Sequence, residues 1–302
     1  MPPITPETQR AGLVAAIAAY SVWGFFPLLF RQLDGVDSML IVAHRIVWSL
    51  LIVGVILLVG SRVREVKAAL ADRGTRYRLL ASALLVAVNW LVYVWAVEHN
   101  RVLETSFGYF LNPLVNIVIG MILLGERQNP TQWVAIGIAV VAMALQTVGL
   151  NGLPWIALTL AVSFGFYGYV RKTVRAGSSA SLFVETLLLA PLALGYIAYV
   201  TLTAGPGPQA DPWKFFWLVM TGPATTFALL LFAYGVQRLR LTTIGIIQYI
   251  APSVQFILAV TLFGETLNLT RLLSFALIWL SLVIFTADSI RRARSPVAEP
   301  QP

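Results

Sequence analysis

The sequence predicts an all-α polytopic membrane protein whose ten transmembrane helices form two inverted five-helix repeats. Three observations predict it. Of 302 residues, 58% are hydrophobic and only 11% charged, and mean hydropathy is +0.81. Soluble domains average about 25% charged residues, so the chain has too few charges to build a water-facing surface. Its apolar residues fall into runs of about 20, the length at which a helix crosses the hydrocarbon core. The second half of the chain also repeats landmarks of the first.

Taken in order, the runs cover 11–30, 38–60, 77–97, 103–124, 131–149, 152–170, 180–200, 214–235, 241–263 and 270–289. A polar tail rich in Pro and Thr, 1–10, precedes the first. No small-x-small cleavage site follows that run, so it reads as a helix rather than a cleavable signal. The connections are short, the longest being 61–76 and 201–213. Trp133, Trp155, Trp213 and Trp217 fall near run ends, where indoles anchor a helix at the interface.

Loop charges give the runs a direction. With the N-terminus in the cytoplasm, the cytoplasmic segments carry sixteen of the 21 Lys and Arg residues. These are Arg10, six between Arg62 and Arg78, Arg127, Arg171, Lys172, Arg175, Arg238, Arg240, and three in the tail from Arg291. The opposite face carries four: Arg31, Arg101, Lys214 and Arg271. The positive-inside rule then predicts both termini in the cytoplasm, with 291–302 as a cytoplasmic tail. The net charge of +8 is accounted for by this topology, and no nucleic-acid partner is expected.

The repeat is carried by particular residues. Phe110-Leu-Asn-Pro113-Leu-Val-Asn116 runs on to Gly125-Glu126, and Tyr249-Ile-Ala-Pro252-Ser-Val-Gln255 runs on to Gly264-Glu265. Proline to glutamate spans 13 residues in both. Trp23-Gly24-Phe25 matches Phe164-Gly165-Phe166, and His44 and Glu185 each follow their glycine by 20 residues. Asn89 falls opposite Thr226. The units are 11–149 (helices one to five) and 152–290 (helices six to ten). Five is odd, so the second unit enters the membrane inverted. Inverted repeats are a transporter signature, with the site near the midplane between the halves.

These segments resemble tandem EamA-type units of the drug/metabolite transporter superfamily, and most of all its RarD branch. The resemblance rests on Ala19-Tyr20-Ser21-Val-Trp23-Gly24, His44-Arg45-Ile-Val-Trp48-Ser49, Asn89-Trp90, Gly108-Tyr109-Phe110-Leu-Asn112-Pro113-Leu-Val-Asn116, Phe164-Gly165-Phe166-Tyr167-Gly168 and Gln248-Tyr249-Ile-Ala251-Pro252. It covers about 11–290. Ala251 stands where such proteins often carry Gly. The resemblance implies a multi-pass permease of the bacterial inner membrane that exports amino acids, other metabolites or toxic compounds. The branch has been linked by name to chloramphenicol sensitivity.

Several residues are candidates for contact with a small organic solute. Arg45 is the one permanent positive charge well inside a run. It reads either as an anion contact or as a snorkelling or paired structural group. His44 reads as a titrating, proton-coupling group or as a plain hydrogen-bonded side chain. Glu185, the one acid well inside a run, reads as a proton carrier or as a partner for Arg171 or Arg175. A His44–Glu185 contact is not expected, because inversion puts them at different depths.

Asn112 and Asn116 share a helix face. Pro113 between them frees a carbonyl one turn back, and Gln248, Tyr249, Pro252 and Gln255 repeat the theme. These residues read as cavity walls or as helix–helix hydrogen bonds. Asn89 joins them, and Tyr20, Trp23, Trp90, Tyr109 and Tyr167, with Trp48 and Tyr93, supply aromatic surface. Glu126 and Glu265, at helix ends, are given a tertiary role.

The chain has no Cys and only two His, so no thiol chemistry, metal or other cofactor is expected, and no nucleotide-binding loop is present. A transporter working by alternating access is therefore the leading expectation. Its alternatives are an intramembrane enzyme using His44 or Glu185 as acid or base, and a non-transporting membrane scaffold.

Overall fold

A computed structural model describes residues 6–125, 127–174, 176–236, 238–239 and 241–294. Glu126, Arg175 and Arg240 lie outside the described residues. Among those described there is no strand. The twelve α-helices are α1 (Pro6–Arg31), α2 (Ser38–Val59), α3 (Val63–Ala71), α4 (Arg73–Glu98), α5 (Val102–Leu124), α6 (Pro130–Gly149), α7 (Trp155–Thr173), α8 (Ser178–Ala204), α9 (Pro212–Val236), α10 (Leu241–Ile247), α11 (Ile250–Thr261) and α12 (Leu269–Arg294).

Eight of these, α1, α2, α4, α5, α6, α8, α9 and α12, are long and apolar enough to cross a bilayer. The sixth apolar run becomes α7, whose 19 residues carry the basic pair Arg171-Lys172 just before their last residue, Thr173. The ninth run is not one helix. It breaks into the 7-residue α10 and the 12-residue α11. Pro252 explains where it breaks: proline has no N–H to give the carbonyl four residues back, and its ring crowds that carbonyl. That residue is Gln248, and the helix is interrupted at Gln248-Tyr249. Pro113 sits inside α5 without interrupting it. The 61–76 connection also holds the short α3, and a 3-10 turn at Gly207–Gln209 lies between α8 and α9.

The helix ends are closed by short-range chemistry. Asp37 caps α2 through the Leu40 N–H, and Asp72 caps α4 through the Thr75 N–H. Asn129 and Gln132 form a reciprocal capping box at α6, with Pro130 in the first turn; such caps satisfy amides that the helix itself leaves free. Glu265 lies past the C-terminus of α11, yet its carboxylate accepts from the Val102 and Leu103 N–H groups at the start of α5. A negative charge is favourable at that end of a helix.

In packing, α1 lies against α9 and α11, and α7 lies against α4 and α5. Further pairs are α2 with α8 and α9, α5 with α11, and α6 with α12. The largest buried cluster includes Phe30, Phe107, Phe110 and Phe275, all almost fully buried. At the α6–α12 seam the Ser281 hydroxyl donates to the Ala135 carbonyl (2.6 Å) and the Ser274 hydroxyl to Gln146 Oε1 (2.5 Å).

Two predictions follow from this packing. A Cβ on Gly222 of α9 would lie 2.4 Å from Trp48 Cβ and 2.6 Å from the Trp48 carbonyl carbon. Gly222→Leu should therefore cost about 1–3 kcal/mol, read as a lower thermal-unfolding midpoint in detergent. Gly137→Leu, with open space around it, should change stability by less than about 0.5 kcal/mol. The second concerns Glu265, whose carboxyl burial pushes from the ordinary 4.5 up to about 7, against the opposing pull of its backbone donors. The folded state then holds a proton that the unfolded chain releases, so stability should fall as pH rises from about 4.5 through 7. Unfolding of the Glu265→Gln variant should lack that part of the pH dependence.

Candidate functional site

A narrow cavity of about 110 Å³ lies among α1, α2, α4, α5, α7, α9, α11 and the α10–α11 break. Arg45, on α2, lines it. It is 3% exposed, and its Nε donates to Thr225 Oγ1 of α9 at 2.8 Å. The guanidinium carbon stands 4.1 Å from the Trp90 ring centre, with Phe26 and Phe30 at 5.3 and 5.8 Å. Ion pairs among the described residues are Arg62–Glu65, Arg101–Glu104 and Arg171–Glu185, so Arg45 has no carboxylate partner there. Of the cavity's lining residues Arg45 alone carries a charge.

The amide side chains in the wall divide by their bonding. Asn89 Nδ2 donates to the Leu160 carbonyl (3.1 Å) and Ser163 Oγ (3.0 Å) of α7, and its oxygen accepts from the Tyr109 hydroxyl at 3.2 Å. Gln255 Nε2 donates to the Trp23 carbonyl at 3.2 Å. Both therefore tie helices together as well as lining the cavity. Asn112 Oδ1 and the Tyr93 hydroxyl are buried without a hydrogen-bond partner, and both residues line the cavity. Such groups cost stability unless something else satisfies them. Tyr20 and Trp23 pack edge to face at 5.2 Å, and Phe164 and Tyr167 lie 5.9 Å apart. Gln248, at the helix break, completes the polar part of the lining.

Of the residues singled out from sequence, the structure brings Tyr20, Trp23, Arg45, Asn89, Trp90, Tyr109, Asn112, Tyr167, Gln248 and Gln255 to this cavity. His44, Asn116 and Tyr249 are not among its lining. His44 accepts from Trp48 Nε1 at 3.3 Å and lies 3.0 Å from Gln209 Nε2. Asn116 is exposed on α5, and Tyr249 stacks on Phe110.

Glu185 is 1% exposed and stands behind the wall rather than in it. Ser82 Oγ donates to its Oε1 at 2.6 Å, Arg171 is 3.6 Å from the same oxygen, and the Tyr167 hydroxyl lies beside the carboxylate. Tyr167 thus joins the cavity to Glu185. Sequence reasoning passed over Phe26, Phe164 as a lining residue, and Thr225. The signal for Thr225 was the four-residue spacing Thr221–Thr225, which puts two hydroxyls on one face.

The model of the EamA-like transporter family matches residues 10–148 and again 152–287. The chain is 38% identical to an uncharacterized transporter of Vibrio cholerae, over 95% of this chain and 96% of that one. It is 41% identical to Protein RarD of Salmonella typhi, over 95% and 98%. A solved crystal structure shares its fold with a TM-score of 0.62 at 17% identity, covering 95% of this chain and 99% of the other. With two family matches that together span nearly its whole length, this multi-pass membrane protein belongs to the EamA-like transporter family and groups there with the RarD proteins.

Proposed function

We propose that the chain is a secondary transporter of the bacterial inner membrane, with both termini cytoplasmic, that exports small organic solutes such as amino acids, metabolites or drugs by alternating access. The observation that carries the proposal is the part-polar cavity lined by both halves of the chain. Solute pockets are mostly apolar concavities with a few placed polar groups, and in inverted-repeat transporters they sit at the repeat interface beside broken helices. The α10–α11 break at Gln248 fits that pattern.

The packing supports the inverted repeat of 11–149 and 152–290. Exchanging the halves turns the α1–α9 pair into α7–α4 and the α1–α11 pair into α7–α5. At the residue level, a Cβ on Gly24 would come 2.8 Å from Val254 Cβ, and one on Gly165 would come 2.8 Å from Val115 Cγ1. Val254 and Val115 each follow their motif proline by two residues, so the two contacts are the same contact in the two halves. Two equivalent half-interfaces allow two near-equal states, one open to each side.

In this reading the ten cavity-lining candidates contact solute. Glu185, reached through Tyr167, couples it to protons. His44 serves the same coupling from outside the cavity wall, and Asn116 and Tyr249 flank the solute path.

Counterflow in proteoliposomes, with labelled amino acids and small aromatic solutes, tests the proposal. Wild type should accumulate at least one solute, and Asn112→Leu should lower that flux at least tenfold. Because Asn112 Oδ1 has no partner, the apolar replacement should leave the unfolding midpoint unchanged or raise it, separating a solute contact from a structural one. Glu185→Gln should keep counterflow and lose acceleration by an imposed pH gradient. Folded protein with no flux of any solute would contradict the proposal.

A further inference from the structure

The cavity contains one fixed cation and, among the described residues, no anion to balance it. We infer that the solute supplies the missing charge: the site takes small organic monoanions, a carboxylate seated on Arg45 and an apolar or aromatic body against the ring-lined wall. The inference rests on the transporter reading above and names its substrate class.

Arginine keeps its proton even where burial opposes charge, so Arg45 must be stabilised as a cation. The protein does this in part. Trp90 presents its ring face at 4.1 Å and Thr225 accepts one hydrogen bond at 2.8 Å. A guanidinium has five N–H donors, and Thr225 uses only the one on Nε. The two terminal nitrogens have no acceptor among the described residues. They form the planar fork that grips a carboxylate with two parallel hydrogen bonds.

Two further groups lack partners in the same cavity, the Tyr93 hydroxyl and the Asn112 amide oxygen, and both residues are more than nine-tenths buried. A phenol hydroxyl can donate, and an amide presents donor and acceptor at neighbouring positions. The terminal Arg45 nitrogens and the Tyr93 hydroxyl can donate to a carboxylate, and the Asn112 oxygen can accept from a donor elsewhere on the solute. Much of the rest of the wall is aromatic, with Tyr20, Trp23, Phe164 and Tyr167 beside the amides Asn89, Gln248 and Gln255. A cavity of about 110 Å³ is on the scale that receives a single ring, since an apolar cavity of roughly 150 Å³ accepts benzene. A cationic solute would meet Arg45 as a like charge, and Arg45 is 3% exposed, so the repulsion is stronger than in bulk water.

Three probes with one body and three charges test this: phenylacetate, phenylacetamide and phenethylamine. Equilibrium dialysis of the full chain in nanodiscs at pH 7 should show phenylacetate bound at least tenfold tighter than phenylacetamide, with phenethylamine weakest. Arg45→Gln should weaken phenylacetate at least tenfold and phenylacetamide far less, so that the preference is lost, and Thr225→Val should reduce the preference partway. The ranking in wild type decides the matter should Arg45→Gln not fold. Equal affinities, a reversed order, no binding of any probe, or a preference that survives Arg45→Gln overturns the inference. The same probes in proteoliposome counterflow separate it from the transporter reading. Flux of phenylacetamide or phenethylamine without phenylacetate overturns the anion seat and leaves transport standing. Selective phenylacetate binding without flux supports the seat and counts against transport.

Discussion

A hydrocarbon interior offers no hydrogen bonds, so each backbone donor and acceptor that enters it must be satisfied within the chain. That constraint produces the long helices, and it also decides where they can fail. Where α10 gives way to α11, the break at Gln248-Tyr249 falls beside the cavity, which Gln248 lines. Irregular backbone at membrane depth is tolerated only in such places. Elsewhere hydroxyls are returned to carbonyls, as Ser106 does to the Pro252 carbonyl across α5 and α11 at 2.8 Å.

The same constraint treats two of the buried charges, Glu185 and Arg45, differently. Glu185 is held by Ser82 and Arg171 and sits behind the wall. Its pairing is local, and it touches the cavity only through Tyr167. Arg45 has an aromatic shell and one hydroxyl. A buried charge left without a counter-ion is costly, and the anion seat proposed for Arg45 is what would offset that cost. The two charges sit on α2 and α8, which pack on each other, so a change at one is mechanically close to the other.

Much of this was legible in the sequence because the signals were strong and local. Run lengths located the helices within a few residues, as 38–60 against Ser38–Val59. Rare polar residues in apolar runs pointed to the cavity because lipid penalises them. What the sequence did not show depended on facing and on distance between helices. Asn116 shares a face with Asn112 by spacing, yet it is exposed on α5 while Asn112 is buried. His44 and Arg45 are adjacent, but about 100° of rotation turns one toward the α8–α9 connection and the other into the cavity. Thr225 was hidden because a threonine in an apolar run normally bonds its own helix, as it also does here to the Thr221 carbonyl. The break in the ninth run was foreshadowed by Pro252, but Pro113 shows that the motif alone does not force one.

The central claim is that one cavity, shared by two halves, opens in turn to each side of the membrane. The chain has no native cysteine, so a single cysteine at position 112 reports on that cavity alone. The direct measurement is labelling of Asn112→Cys by a membrane-impermeant thiol reagent, added to one side and then the other of oriented vesicles. Alternating access predicts labelling from both sides, with reagent on either side exhausting the same population over time. Labelling from one side only, or from neither in folded protein, would contradict the account.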